Sequence, residues 1–191
     1  MRLDLVVGPN GAGKYTFVEL VLADLRHGVP FVNADEIAKV RWPDDPAAHS
    51  YDAARIAERT RIRLIEAGAP LIAETVFSHP SKLELIDAAR AAGYTVALQV
   101  LLVPEDLAVA RVAHRVAAGG HPVPEEKIRA RYRRLWPLVA EAVARSDTAR
   151  IWDNSRRDGP EEVALFAGGV PIGRCRWPGW TPDALRSRLG R

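Results

Sequence analysis

The chain has 191 residues, 48% of them hydrophobic and 27% charged, with a formal net charge of +3. That is enough chain for one domain with its own core, and no apolar run approaches the roughly 20 residues that span a bilayer. Cys175 is the sole cysteine, which excludes an internal disulfide and argues against a cysteine-based zinc site. The N-terminus carries no export-signal pattern, so a cytoplasmic location is expected. The basic residues are nearly all arginine, with lysine only at positions 14, 39, 82 and 127. Arginine suits bidentate phosphate contacts, but no dense basic block with interleaved aromatics marks a polynucleotide surface, so nucleic acid is not the expected partner.

Short apolar runs alternate with longer helical patterns, which predicts strand-helix-strand units around a mainly parallel sheet. In chain order the strands are expected at 3–7, 31–33, 70–74, 96–103 and 150–154, and helical patterns fill 14–26, 48–67, 80–92, 105–118 and 124–145. Pro137 falls inside the last pattern and should kink or end it. Beyond residue 155, "EEVALFAGG" and "GVPIGRCRW" read as two short strands before a terminal helix from Thr181. No repeat or linker divides the chain, so a single domain over 1–191 is expected.

The first strand runs into "GPNGAGKYT", residues Gly8, Pro9, Asn10, Gly11, Ala12, Gly13, Lys14, Tyr15 and Thr16. Glycines at Gly8 and Gly13 followed by a lysine, between a strand and a helix, are the context of a phosphate-binding loop. Its backbone N–H groups point inward, the helix start adds positive potential, and Lys14 reaches the outer phosphates. Thr16 supplies a hydroxyl for a phosphate nearer the base. The position after the lysine normally holds Ser or Thr, a ligand of the magnesium ion that bridges the phosphates. Here it is Tyr15, whose hydroxyl stands too far from its own backbone for that place. No protein metal ligand is therefore assigned. Magnesium keeps several waters and takes further ligands from the nucleotide, so a damaged metal site is expected rather than lost nucleotide binding. A ring packed beside the loop is the alternative account of Tyr15.

Ligands of open parallel sheets bind beyond the carboxyl ends of the strands. The second strand delivers Asn33 and Asp35 there, and the third delivers Glu74, Thr75 and Ser78. A carboxylate at that rim can take a proton from an attacking hydroxyl or hold magnesium; Asp35 could equally cap the helix "ADEIAKV". Farther on, Val109, Val112, Ala113 and Val116 make an aliphatic face, with Arg111 and Arg115 at i, i+4 opposite it. The next helix has an apolar stripe of Ile128, Tyr132, Leu135, Val139 and Val143, bordered by Arg131, while Arg133 points away. "AAGGHPVP" between these helices, flexible at Gly119 and Gly120 and stiff at Pro122 and Pro124, fits a lid over about 111–134. A solvated basic face is the bland alternative.

The succession "GPNGAGK-T", "NADEIA", "ETVFS", "GGHPVPEEKIRARYRR" and "WDNS" resembles the zeta toxin family of bacterial toxin–antitoxin systems, over about residues 3 to 154. The resemblance implies a three-layer α/β P-loop kinase fold with a helical lid. It implies transfer of the terminal phosphate of ATP, with magnesium, to a sugar hydroxyl of UDP-N-acetylglucosamine, and an antitoxin as a protein partner. Lys14 matches the loop lysine, Asp35 the aspartate that deprotonates the acceptor, and Glu74 a glutamate of the substrate site. Arg115 and Arg131 match the two arginines that neutralise the transferred phosphate, with Arg111 and Arg134 as neighbouring choices. Tyr15 departs from the family pattern and puts catalysis, not nucleotide binding, in question. Two other functions remain: a kinase of a different hydroxyl acceptor, such as a nucleoside or antibiotic, and a non-catalytic nucleotide-binding protein acting through a partner.

Overall fold

The computed structural model describes residues 1–120 and 123–190. Among them is a seven-stranded sheet in the order β2-β3-β1-β4-β5-β6-β7. Strands β1 (Arg2–Val7), β2 (Phe31–Val32), β3 (Leu71–Thr75), β4 (Thr95–Leu102) and β5 (Thr148–Asp153) run parallel. The last two, β6 (Glu161–Ala167) and β7 (Val170–Pro171), pair antiparallel at one edge. The central strands are continuous apolar runs because helices cover both of their faces.

Successive residues of β1 feed opposite cores. Leu3, Leu5 and Val7 join one cluster with Ile86 of α4 (Ser81–Ala91), Val139 of α6 (Glu125–Arg145) and Leu185 of α7 (Asp183–Leu189). Val6 joins the other, with Phe17 of α1 (Lys14–Phe17), Val18 and Leu22 of its π-helical continuation (Val18–Leu22), and Ala108 of α5 (Glu105–Ala117). The result is the three-layer α/β arrangement of P-loop kinases. Helices α2 (Ala34–Arg41) and α3 (Ser50–Glu66) pack on one another, with Trp42 and His49 stacked at 4.5 Å where the chain turns between them.

Every strand predicted in the first 154 residues is present, and the apolar stripe foreseen on α6 is buried throughout. Three local expectations change. Helix α6 runs unbroken from Glu125 to Arg145 through Pro137. A proline in a helix interior costs about 3 kcal/mol, and the flanking Leu135, Trp136, Val139 and Ala140, all buried, offset that at roughly 1.5–3 kcal/mol for each large side chain. The buried edge of α5 is Ala108 and Val112, while Ala113 is exposed; the helix is turned so that Ala108 meets the backbone of Gly11 in the phosphate loop. The second C-terminal strand shrinks to Val170–Pro171, and the terminal helix begins at Asp183. Ile172 and Arg176 still donate backbone hydrogen bonds to Leu165 and Val163 of β6, so the segment after residue 155 extends the same sheet.

No helix among the described residues is long and apolar enough to cross a membrane.

Candidate phosphate-binding and acceptor site

The loop 8–13 leaves the carboxyl end of β1 and folds back so tightly that its glycines are required. Gly11 has φ 76° and Gly13 φ 79°, both left-handed. A Cβ on Gly11 would lie 2.4 Å from the carbonyl oxygen of Ala108, and one on Gly13 2.8 Å from Asn154 Nδ2. The loop is thus clamped between α5 and the end of β5, with its exit opening α1 at Lys14. Asn154 Nδ2 donates to Ala12 O at 2.7 Å, and Arg111 Nη1 donates to Asn154 O at 2.9 Å. Arg111 therefore ties α5 to the phosphate loop through Asn154, and does not stand ready beside Arg115 as the i, i+4 spacing suggested. Asn154 belongs to the quoted "WDNS", yet nothing in its sequence context announced the contact.

Lys14 is buried, with Nζ donating to Pro9 O at 3.1 Å and standing 3.4 Å from Glu74 Oε1. The other carboxylate oxygen of Glu74 accepts from Asn33 Nδ2. Asn33 Oδ1 in turn accepts from the backbone N–H groups of Asp35 and Glu36 at 2.7 and 3.1 Å. Asn33 is therefore the N-cap of α2, the role that Asp35 might have held. Asp35 sits in the first helical turn with an exposed side chain. Three strand ends are joined in this way: the lysine after β1, the asparagine after β2 and the glutamate in β3.

Arg61, absent from the sequence reading, supports this junction from below. It continues the buried i, i+4 row Ala53, Ala57, Arg61, Ile65 of α3, and its Nη2 donates to Glu74 O at 3.0 Å. Burial lowers its pKa against the pull of Glu58 and Glu74. A charged residue in a row of buried small and aliphatic ones was the signal that could have found it. Beyond Glu74, Thr75 Oγ1 is 3.5 Å from Phe77 N, and Phe77 has φ 56° with its ring buried. A left-handed non-glycine residue of this kind stores strain of about 1–3 kcal/mol; it reverses the chain after β3 and leaves Ser78 half-buried at the rim.

Tyr15 packs beside the loop, between Phe31 and Lys39. Its ring lies 6.0 Å from that of Phe31, Lys39 Nζ stands 5.9 Å above it, and the side chain is 40% exposed. A hydrogen bond to Glu19, reinforced by the negative charge of Glu36, raises the pKa of its hydroxyl. The hydroxyl is directed along α1, and the ring covers the gap to α2. Thr16 is exposed beside it.

In the lid region, Arg131 borders the buried stripe of α6 and is half-buried, whereas Arg133 and Arg134 are exposed. Arg115 is exposed near the end of α5. Arg129, which the sequence did not single out, holds α6 to α5 through Glu105, Asp106 and Glu125 at 3.4, 2.9 and 2.8 Å; these hydrogen bonds raise its pKa. Of the stretch read as a lid hinge, His121 and Pro122 lie outside the described residues. Among those described, no three His, Cys, Asp or Glu side chains are grouped to hold a metal.

The family model described as zeta toxin matches residues 2–159. The chain belongs to the zeta toxin family. Solved structures agree with this at the level of fold. A structure from the PezAT toxin–antitoxin system of Streptococcus pneumoniae has a TM-score of 0.65 at 17% identity, over 86% of this chain and 70% of that one. The AvrRxo1-ORF1:-ORF2 complex with ATP gives 0.68 at 16% identity, over 90% of this chain and 60% of that one. The Pnkp1/Rnl/Hen1 RNA repair complex gives 0.59 at 19%, over 73% of this chain and 45% of that one. The chain thus spans little more than half the length of the second and under half of the third. No curated protein sequence matches it. The family and these neighbours support a kinase fold with a nucleotide-binding loop.

Proposed function

We propose that the chain is a zeta-toxin-like kinase that binds ATP in the loop 8–16 and transfers its terminal phosphate to a hydroxyl of UDP-N-acetylglucosamine. The observation that carries this is the junction of Lys14, Glu74 and Asn33, with Asp35 two residues from the cap. It sets a phosphate-binding cation, a carboxylate and a candidate base on one rim of the sheet. The loop N–H groups and Lys14 hold the nucleotide phosphates, and Thr16 adds a hydroxyl. Asp35 takes the proton from the acceptor hydroxyl as it attacks in line. Glu74, Thr75 and Ser78 position the acceptor with Asn33. Arg115 and Arg131 neutralise charge on the phosphoryl group in flight, and closure of the lid excludes water.

The donors present fit a magnesium ion carried mainly by nucleotide phosphates and water, with Glu74 as the nearest carboxylate oxygen to the loop lysine. When bound, such an ion would neutralise negative charge on the nucleotide phosphates. With Tyr15 turned toward Glu19, the helix contributes no hydroxyl to it, and transfer is correspondingly slow. The same orientation favours a second function: nucleotide binding without transfer, acting through a protein partner such as an antitoxin.

The deciding experiment follows radiolabel from γ-labelled ATP into UDP-N-acetylglucosamine, for the parent protein and for Tyr15→Ser, with ATP affinity measured by calorimetry. Slow transfer by the parent and faster transfer by the variant support the kinase. ATP binding by both proteins with transfer by neither supports the second function.

A further inference from the structure

Between α5, α6 and the segment that leads into α7 lies a cavity of about 500 Å³, within the size range of small-molecule sites. Its walls are aromatic. Tyr132 and Trp136 of α6 are buried and meet edge to face at 5.2 Å, and the Tyr132 hydroxyl, donating to Val103 O at 2.9 Å, fixes that corner. Trp180 adds a third ring, half-buried against the core. It belongs to a segment beyond residues 2–159, so one wall comes from outside the part of the chain that the family model matches.

The lining is rich in negative charge, although the chain as a whole carries +3. Glu105 and Asp106 line the cavity where α5 begins and share Arg129 with Glu125, so three carboxylates have one cation among them. Asp183 of α7 and Arg133 of α6 also line it, and among the described residues neither forms an ion pair. The negative potential reaches the aromatic wall: burial, and then the charge of Glu105, push the pKa of the Tyr132 hydroxyl up to about 12. Thr181, between the lining residues Trp180 and Pro182, is 4% exposed, and its Oγ1 has no hydrogen-bond partner among the described residues. Aromatic faces, surplus carboxylates and a spare hydroxyl suit a cation that carries N–H donors on a flat surface.

We infer that this cavity binds a small guanidinium compound, its planar cation stacked on Trp180 and its N–H groups directed to Asp183 and Thr181 Oγ1. A guanidinium fits better than an ammonium because it is more weakly hydrated, lies flat on an indole and offers two parallel N–H groups to one carboxylate. Arg133, the one cation in the lining, opposes the ligand. The site shares no side chain with the phosphate loop or the acceptor rim, so it does not depend on the proposed transfer reaction.

The test is calorimetric titration with n-butylguanidinium chloride and with n-butylammonium chloride, of the parent protein and of Asp183→Asn, Trp180→Ala, Trp180→Phe and Arg133→Ala. The parent should bind the guanidinium saturably and several-fold tighter than the ammonium. Asp183→Asn and Trp180→Ala should each weaken it by about tenfold, with Trp180→Phe recovering part of the loss. Arg133→Ala should tighten binding several-fold, a gain that damage to the fold could not produce. Absence of saturable binding by the parent overturns the inference, as does weaker binding in Arg133→Ala, which would mark the cavity as an anion site. Ammonium binding as tight as guanidinium binding rejects the planar cation. If an arginine-containing peptide binds through Asp183 and Trp180 while free butylguanidinium does not, the small-molecule site is overturned in favour of a protein partner.

Discussion

Lys14 Nζ stands 3.4 Å from Glu74 Oε1, so the cation expected to hold the outer phosphates of a nucleotide already has a carboxylate partner. Both side chains are largely buried, and their attraction is poorly screened by solvent. The nucleotide phosphates must therefore share Lys14 with Glu74, or displace it. Glu74→Gln should tighten ATP binding by removing that competitor while slowing phosphate transfer. Calorimetric affinity and single-turnover transfer, measured on the same preparations, check the two halves separately. Weaker ATP binding in the variant would show that Glu74 organises the lysine rather than competing for it.

Asn33 serves two elements at once, capping α2 with its oxygen and holding Glu74 with its nitrogen. Asn33→Ala should lose the cap, worth about 0.5–2 kcal/mol, along with the Glu74 contact. Asn33→Asp keeps an acceptor for the cap but sets two carboxylates against each other. Urea midpoints should rank the parent above both variants. Full stability of Asn33→Asp would mean that the Glu74 contact contributes nothing.

Asp35 is exposed in the first turn of α2 and is not the residue that caps it. Its replacement should therefore be structurally mild. Asp35→Asn is expected to slow transfer by about 10²–10⁴-fold, the usual contribution of a general base, with ATP affinity and thermal midpoint close to the parent. Transfer at the parent rate would remove Asp35 from the mechanism.

Arg115→Ala and Arg131→Ala should each lower the transfer rate more than they weaken ATP binding, because the proposed mechanism uses their charge on the phosphoryl group in the transition state. Equal losses in rate and affinity would make them ground-state contacts. Unchanged turnover in both variants would leave a solvated basic face.

Tyr15→Ser restores a small hydroxyl where the loop helix begins and removes a ring that touches Phe31 and lies under Lys39. Phosphate transfer should rise well beyond any gain in ATP affinity, as metal catalysis acts on developing charge. Stability should fall only slightly, because the ring is exposed and loses one cation–π contact and some packing. If the parent already transfers as fast as the variant, the ion is held without a hydroxyl from the helix.

The order of elements, the parallel sheet, the phosphate loop and the stripe of α6 were legible in the sequence because each is written in local period or spacing. A glycine pair before a lysine, or apolar residues every third and fourth position, acts within one turn or one strand. Tyr15 was legible in the same way, since the length of its side chain alone rules out the place of a serine hydroxyl. Contacts that join distant segments were not. Arg61 meets Glu74 from 13 positions away, and Asn154 meets Ala12 from 142; only the stacking of β1, β3 and β5 in one sheet brings them together. The choice between Asn33 and Asp35 as helix cap also waited for the structure, because either side chain can accept the bond and the start of α2 is set by where β2 ends. The division of the lid cations was tertiary as well. Arg129 is neutralised by carboxylates on α5, while Lys127, Arg131 and Arg134 line a cleft with Tyr51, and that depends on how α5, α3 and α6 are packed rather than on the sequence of any one of them.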